Sequence, residues 1–178
     1  MSINMWTLSV TGNMSGATGI LAGIFNIDYV NSHVLRIWRV GLINAQTGYG
    51  SNVGLIAVQL EKYVGASWRS PTVIGPISVD TKDTDTKGLI SGRGGTVVNG
   101  TQSIFRRITW SSFSPAHTTA PTAKDWETFI PLGILWDAGF NDANVQPITL
   151  RPGEMCDLYY AFTGQIVDAW IEFTEETS

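Results

Sequence analysis

Three aspartates in a polar part of the chain are of the residue type that binds calcium. Asp80, Asp83 and Asp85 lie close together in the sequence. An EF-hand loop that begins at Asp83 needs oxygen ligands at its fifth and twelfth positions, because calcium is bound through oxygen atoms. Those two positions hold Lys87 and Gly94. The spacing therefore excludes an EF-hand and favours a solvated turn, and a looser calcium loop stays open as an alternative.

A glycine-rich segment and two histidines are the other features that could support chemistry. The segment 92–95, Gly-Arg-Gly-Gly, lacks the Gly-Lys-Ser/Thr ending and the following helix of a phosphate-binding loop. His33 and His117 lie in dissimilar contexts, and no nucleophile-elbow sequence accompanies them. Paired carboxylates of the glycosidase type are not marked by any motif either. We therefore predict that the chain is not an enzyme, with no catalytic, metal-binding or cofactor-binding residue and no cofactor.

Tryptophan could bind a ligand, since its flat ring stacks on the face of a sugar. The candidate rings are Trp38, Trp68, Trp110, Trp126, Trp136 and Trp170. Most of them lie in alternating strand patterns, where packing in the core is the commoner role. Trp68, beside Gly65 and Ser67 in a turn-like stretch, is the best candidate for an exposed ring. A carbohydrate-binding β-sandwich module is therefore the alternative function, although the sequence does not assign ligand-binding residues.

The charge of the chain restricts its partners. Charged residues make up 15% of the 178 residues, against roughly 25% in an ordinary soluble protein. This deficit indicates either a surface that contacts other subunits or a β-sandwich with a neutral polar surface. The net charge of -4 argues against nucleic-acid binding, which needs clustered basic residues. The closest basic pair, Arg106 and Arg107, should point to opposite faces of a strand and form no patch.

Cysteine content and apolar runs bear on stability and location. Cys156 is the only cysteine, so an intramolecular disulfide and a cysteine-based zinc site are excluded. It lies in an apolar run, where a free thiol behaves as a small hydrophobe. We expect no secretory signal and no membrane partner, because a basic start with an apolar segment and a run of roughly 18 apolar residues are both missing. Synthesis in the cytoplasm is the expectation.

Alternation of apolar and polar residues with a period of two predicts strands along the chain. The predicted strands are 6–10, 25–29, 33–44, 55–63, 72–79, 103–113, one or two within 126–136, 146–151, 156–162 and 165–173. Pro71 and Pro76 place the strand 72–79 at a sheet edge or a bulge. The segments 13–23 and 88–100 are rich in Gly and are predicted to be loops that order against neighbouring subunits. The expected fold is a single antiparallel β-sandwich domain, residues 1–178, jelly-roll-like, in which 1–23 form a strand and a flexible arm.

The C-terminal third carries the clearest pattern. Pro152-Gly153 supplies the fixed φ and the positive φ that a type II turn requires. Beyond it, Val167, Ala169, Ile171 and Phe173 recur at every second position and predict one buried face, with Asp168 and Glu172 on the other face. This pattern predicts a β-hairpin or a pair of strands at the C-terminus.

From Arg36 onward the chain contains a series of strand-and-turn motifs. They are Leu-Glu-Lys at 60–62, Pro-Ile-Ser-Val-Asp-Thr at 76–81, Ile-Phe-Arg-Arg at 104–107, Trp-Ser at 110–111, Gln-Pro-Ile-Thr-Leu-Arg-Pro-Gly-Glu at 146–154 and Glu-Phe-Thr-Glu-Glu at 172–176. In these motifs the chain resembles small virion structural proteins that tailed phages encode near their capsid genes. Met155 and Cys156 depart from the small residues expected at that point.

The resemblance implies a β-sandwich located in a virion, and it carries over no catalytic or ligand residue. The expected function is a structural protein that self-assembles or decorates a phage or virus-like particle, with capsid decoration as the leading role. A shell subunit, a neck or fibre component and a filament are compatible with the same features. The expected partners are other copies of the chain and other virion proteins, with no direct contact to nucleic acid.

Overall fold

The computed structural model describes residues 5–13, 19–44, 54–79, 88–112, 132–139, 146–160 and 166–176. Every regular element in these ranges is a β-strand, as the period-two alternation predicts. The strands are β1 (Met5–Asn13), β2 (Gly19–Asn26), β3 (Val34–Asn44), β4 (Gly54–Val64), β5 (Ser67–Arg69), β6 (Thr72–Val73), β7 (Ile77–Ser78), β8 (Leu89–Arg93), β9 (Thr96–Val98), β10 (Thr101–Ser112), β11 (Leu132–Asp137), β12 (Ile148–Leu150), β13 (Glu154–Tyr160) and β14 (Ile166–Glu176).

Two antiparallel sheets pack face to face. The first sheet has the strand order β11-β3-β14-β1-β7, and β12 pairs with β3 next to β11. The second sheet has the order β10-β4-β13-β2-β8-β6. The chain crosses from one sheet to the other between β1 and β2, between β2 and β3, and between β3 and β4, and it returns at its end to place β14 beside β1. This connectivity is that of a jelly roll, and the predicted antiparallel β-sandwich is confirmed.

The main core lies between the sheets and is formed by the inward faces of the long strands. In β14, Val167, Ala169, Ile171 and Phe173 are buried, whereas the alternate residues are partly exposed. The predicted inward face of the C-terminal strand is therefore confirmed. β1 pairs with β14 along its whole length and contributes Trp6, Leu8 and Val10; the second sheet contributes Leu21, Ala22, Ile24, Val58, Leu60, Cys156 and Leu158.

The Pro-Gly turn forms as the sequence predicts, but the C-terminal hairpin does not. The amide of Glu154 donates to the carbonyl of Arg151 at 2.9 Å, and Gly153 has a φ of 82°, as the third residue of a type II turn requires. This turn carries the chain from β12 in the first sheet to β13 in the second, and β14 returns to the first sheet. The hairpin prediction was wrong because alternation identifies the buried face of a strand but not its neighbour.

Two segments that the composition predicts to be loops contain strands. Residues 19–23 belong to β2, where Ile20, Leu21 and Ala22 are buried. Gly23 permits a close approach, since a Cβ there would lie 2.9 Å from the Met155 methyl carbon and 3.3 Å from the Trp68 ring. The flexible arm predicted within 1–23 is thus wrong for 19–23, and residues 14–18 lie outside the described ranges. Here the small residues reflect tight packing rather than freedom of the backbone.

The predicted loop 88–100 contains β8 and β9. β8 extends the second sheet by pairing with β2, and β9 pairs with β5 in a separate two-stranded ribbon. The ribbon covers part of the outer face of the second sheet, where Ile20, Phe25, Trp68 and Met155 form a second small core. The predicted strand 25–29 ends instead at Asn26, and Tyr29 is exposed.

Candidate functional site

One edge of the sandwich, where both sheets end, contains a cleft that we call the aromatic cleft. It lies between the edge strand β10 of the second sheet and the strands β11 and β12 of the first sheet, with a volume of about 500 Å³. Its lining residues are Lys62, Phe105, Arg106, Trp136, Gln146, Pro147, Ile148 and Thr149. The size falls within the roughly 300–1,000 Å³ of clefts that bind ligands.

A bulge in β10 creates the aromatic wall of this cleft. The pairing of β10 with β4 shifts between Ile104 and Arg106, so Phe105 is the extra residue in the strand. The Phe105 ring meets the Trp136 ring edge-on, with centroids 5.8 Å apart and planes at 69°. The guanidinium carbon of Arg106 lies 6.0 Å from the centroid of the same Trp136 ring, within reach of a cation–π interaction. The wall is therefore both aromatic and cationic.

An ion pair fixes the other cation of the aromatic cleft. The Lys62 ammonium donates to a Glu154 carboxylate oxygen at 2.8 Å and to the Thr149 carbonyl at 2.7 Å, and both charged side chains are mostly buried. Glu154 also accepts from the backbone amide of Arg151 at 2.8 Å. The charge of Lys62 is thus balanced within the protein, whereas no carboxylate pairs with Arg106 among the described residues.

The opposite edge of the sandwich is formed by residues 72–79, which we call the edge segment. Within it β6 closes the second sheet and β7 closes the first, so the predicted edge position is confirmed. Val73, Ile77 and Val79 are 68%, 69% and 67% exposed. The edge segment contains no charged residue. Single exposed apolar side chains are ordinary, whereas here three of them lie where both sheets end.

Two acidic side chains lie buried on the outer face of the second sheet, under the β5–β9 ribbon. Glu61 and Asp157 face each other across β4 and β13 and are almost completely inaccessible. The Tyr63 hydroxyl donates to Glu61 at 2.8 Å, but neither oxygen of Asp157 has a hydrogen-bond partner among the residues that the structure describes. Burial, followed by the nearby Glu61 charge, raises the pKa of Asp157 well above its usual value. Because solvent does not reach them, these carboxyl groups are not placed for catalysis.

Replacing Asp157 by Asn is expected to stabilise the protein, and increasingly so as the pH rises. A raised pKa means that the folded state holds the proton more tightly than the unfolded chain. The contribution of Asp157 to stability is therefore complete below the ordinary pKa of aspartate and is lost as the pH rises through the folded-state pKa. Asn has no charge to bury, so we expect a gain of about 1–3 kcal/mol near neutral pH.

Urea unfolding at about pH 4 and about pH 8 measures this difference, because aspartate is largely ionised in the unfolded chain only at the higher pH. The matched control is Asp137→Asn, a more exposed carboxylate that contacts Arg39 at 3.5 Å. An Asp157→Asn variant that differs from the parent protein by the same free energy at both pH values would contradict the assigned titration.

His33 and Cys156, which the sequence leaves without a catalytic role, occupy structural positions. His33 is buried, and its Nδ1 atom lies 2.6 Å from Asp28 and 3.5 Å from Glu175. The Asn31 amide and side chain, with His33, hold the pKa of Asp28 below its usual value against the opposing effect of burial. Cys156 is fully buried in the main core, and this burial raises the pKa of its thiol. A buried thiol of this kind is unreactive.

The tryptophans that the sequence singles out do not form one platform. Trp68 is buried and its indole N–H donates to the Gly94 carbonyl at 2.9 Å, so the prediction of an exposed sugar-binding ring at Trp68 was wrong. Trp38 donates to the Thr174 hydroxyl at 3.0 Å. Trp136 lines the aromatic cleft together with Phe105. The sequence could not single out Trp136, because its position in the cleft depends on the bulge in β10 and on the pairing of β11 with β3.

Several predicted positions lie outside the described ranges. They are Asp80, Asp83, Asp85, His117, Trp126 and the side chain of Trp110. The segment 92–95 is described, and it is not a loop before a helix: Gly92 and Arg93 end β8, and Gly94 and Gly95 have φ values of 65° and 72° in the turn to β9. A phosphate-binding loop is therefore excluded there.

The part of the chain that the structure describes contains no group of three or more His, Cys, Asp or Glu side chains that could hold a metal ion. It likewise contains no helix of the length and hydropathy that a membrane span requires. Comparison of the chain with protein-family models, with curated protein sequences and with solved structures finds no match.

Proposed function

We propose that this chain is a structural subunit of a phage or virus-like particle, and that it acts by assembling through neutral, largely apolar contacts. The edge segment is the observation that carries the proposal. It exposes Val73, Ile77 and Val79 where both sheets end, and it lacks the charges with which isolated β-sandwiches protect their edges. Capsid decoration is the leading role within this class.

The composition and fold support the same function. With charged residues at 15% of the chain, few ionic groups are available for contacts between subunits. Association must then rest on apolar burial and on hydrogen bonds of the backbone and neutral side chains. The jelly roll is a fold that viral capsid proteins use, and also lectins, so the fold is compatible with the proposal without selecting it.

Sedimentation of the purified protein tests the proposal. We expect species heavier than the 19.4 kDa monomer, at a proportion that rises with protein concentration. The distribution should change little between low salt and about 1 M salt, where the screening length is only about 3 Å and charge-driven contacts weaken. Apolar contacts hold or strengthen under these conditions. A monomer at high concentration in both salts would refute the assembly function.

The aromatic cleft favours carbohydrate binding as a second candidate function. Trp136 and Phe105 offer ring surfaces, and Arg106 and Gln146 offer hydrogen-bond donors at the rim of the same cleft. Binding of neutral oligosaccharides by the monomer, with loss of binding in Trp136→Ala, would support this candidate. A screen of neutral and acidic glycans that finds no binding would remove it.

A further inference from the structure

We propose that the edge segment of one copy docks in the aromatic cleft of the next copy, so that subunits join head to tail. This inference rests on the proposed assembly function and names its contact surfaces. The two surfaces are the edge segment, residues 72–79, and the cleft between β10 and β11–β12.

The topology places these two surfaces on opposite sides of every subunit. β6 and β7 end the second and first sheets on one side, and the three residues between them connect the sheets there. On the other side β10 ends the second sheet, and β11 and β12 end the first. When one copy is shifted sideways, across its strands from one edge of the sandwich to the other, its edge segment therefore approaches the cleft of the neighbouring copy.

The chemistry of the two surfaces is complementary. The edge segment offers three exposed aliphatic side chains, Val73, Ile77 and Val79, and contains no charged residue. The cleft offers the Phe105 and Trp136 rings together with Pro147, in a volume of about 500 Å³. Insertion removes apolar surface from water on both partners, which is the main driving force for association.

An uncharged segment is not repelled by the cations of this cleft. Lys62 pairs with Glu154, whereas Arg106 lies at the Trp136 ring with no carboxylate partner among the described residues. An aliphatic segment can enter without stranding a charge of its own. A lysine in place of Ile77 would meet Arg106 and be repelled, and reversal of the Arg106 charge would turn that repulsion into attraction.

The symmetry of the contact has a consequence for the assembly. Because the two surfaces differ and lie on opposite sides, the contact is heterologous and is not satisfied by a two-fold dimer. Each subunit that joins leaves one free edge segment and one free cleft. Such contacts build a closed ring where the rotation between neighbouring subunits adds up to a full turn, and an open filament where it does not.

Three variants test the docking. Ile77→Lys places a cation in the edge segment, and Ile77→Lys with Arg106→Glu places the opposite charge in the facing cleft. Val30→Lys is the matched control, since Val30 is 90% exposed in the connection between β2 and β3, outside both surfaces. Association is measured by sedimentation, and circular dichroism melting shows whether each variant is folded.

We expect Ile77→Lys to weaken association by roughly tenfold or more, because an aliphatic side chain that the contact would bury is replaced by a charge. Val30→Lys should associate like the parent protein, and the double variant should recover most of the lost association. Association of folded Ile77→Lys equal to that of the parent protein would overturn the docking and leave the assembly function standing. Loss of association without recovery in the double variant would place the edge segment against another surface and overturn the cleft assignment. A monomeric parent protein would overturn the assembly function itself.

Discussion

The Phe173→Ala variant is expected to lose about 3–5 kcal/mol of its free energy of unfolding. Phe173 is fully buried between the sheets, in the strand that joins β1 to β3 at the centre of the first sheet. Truncation removes the ring from the core and leaves a cavity that neighbouring strands cannot fill without breaking their pairing. Such a loss is a large part of the total stability of a domain.

Urea unfolding of Phe173→Ala beside Glu172→Ala measures this effect. Glu172 precedes Phe173 in the same strand, is partly exposed and contacts Arg39 at 3.5 Å, so its loss should cost less than about 1 kcal/mol. Equal urea midpoints for the two variants would show that the inward face of β14 is wrongly assigned.

Replacing Lys62 by Met is expected to lower the free energy of unfolding by about 3 kcal/mol, the lower end of the range for buried ion pairs. Met fills a similar volume, so the main effect is to leave the Glu154 carboxylate without its cation at 2.8 Å. The backbone amide of Arg151 still donates to Glu154, but it carries no charge. An uncompensated, mostly buried carboxylate is the source of the cost.

The double variant Lys62→Met with Glu154→Gln isolates that cost. Gln keeps an oxygen that can accept from the Arg151 amide but has no charge, so most of the lost stability should return. Denaturant unfolding of the single and double variants measures the difference. A double variant as unstable as Lys62→Met alone would contradict the role of the unpaired charge.

Alternation was sufficient to predict the strands whose two faces differ. In β1 and β14 one face is apolar and the other is mostly polar or charged, so the buried face could be predicted residue by residue. The turn at Gly153 and the edge position of 72–79 were also predictable, because Pro and Gly have specific backbone requirements. These features depend on neighbouring residues in the sequence alone.

The remaining features depend on contacts between distant parts of the chain. The β5–β9 ribbon covers the outer side of β2, so both faces of this strand are buried and apolar and its sequence does not alternate. Without alternation, its Gly and Ala residues resembled a loop. The same ribbon buries Trp68. The aromatic cleft requires the bulge at Phe105, and the buried pair of Glu61 and Asp157 requires the exact register of β4 and β13. Neither the bulge nor the register has a signal in local sequence.

Electron microscopy of the purified, concentrated protein tests the central claim of assembly most directly. The account predicts ordered rings or filaments in which neighbouring sandwiches meet through opposite sides, and it predicts that these persist at about 1 M salt, where charge contacts are screened. Fields of separate particles with the size of a single 19.4 kDa subunit, at every concentration and salt, would contradict it.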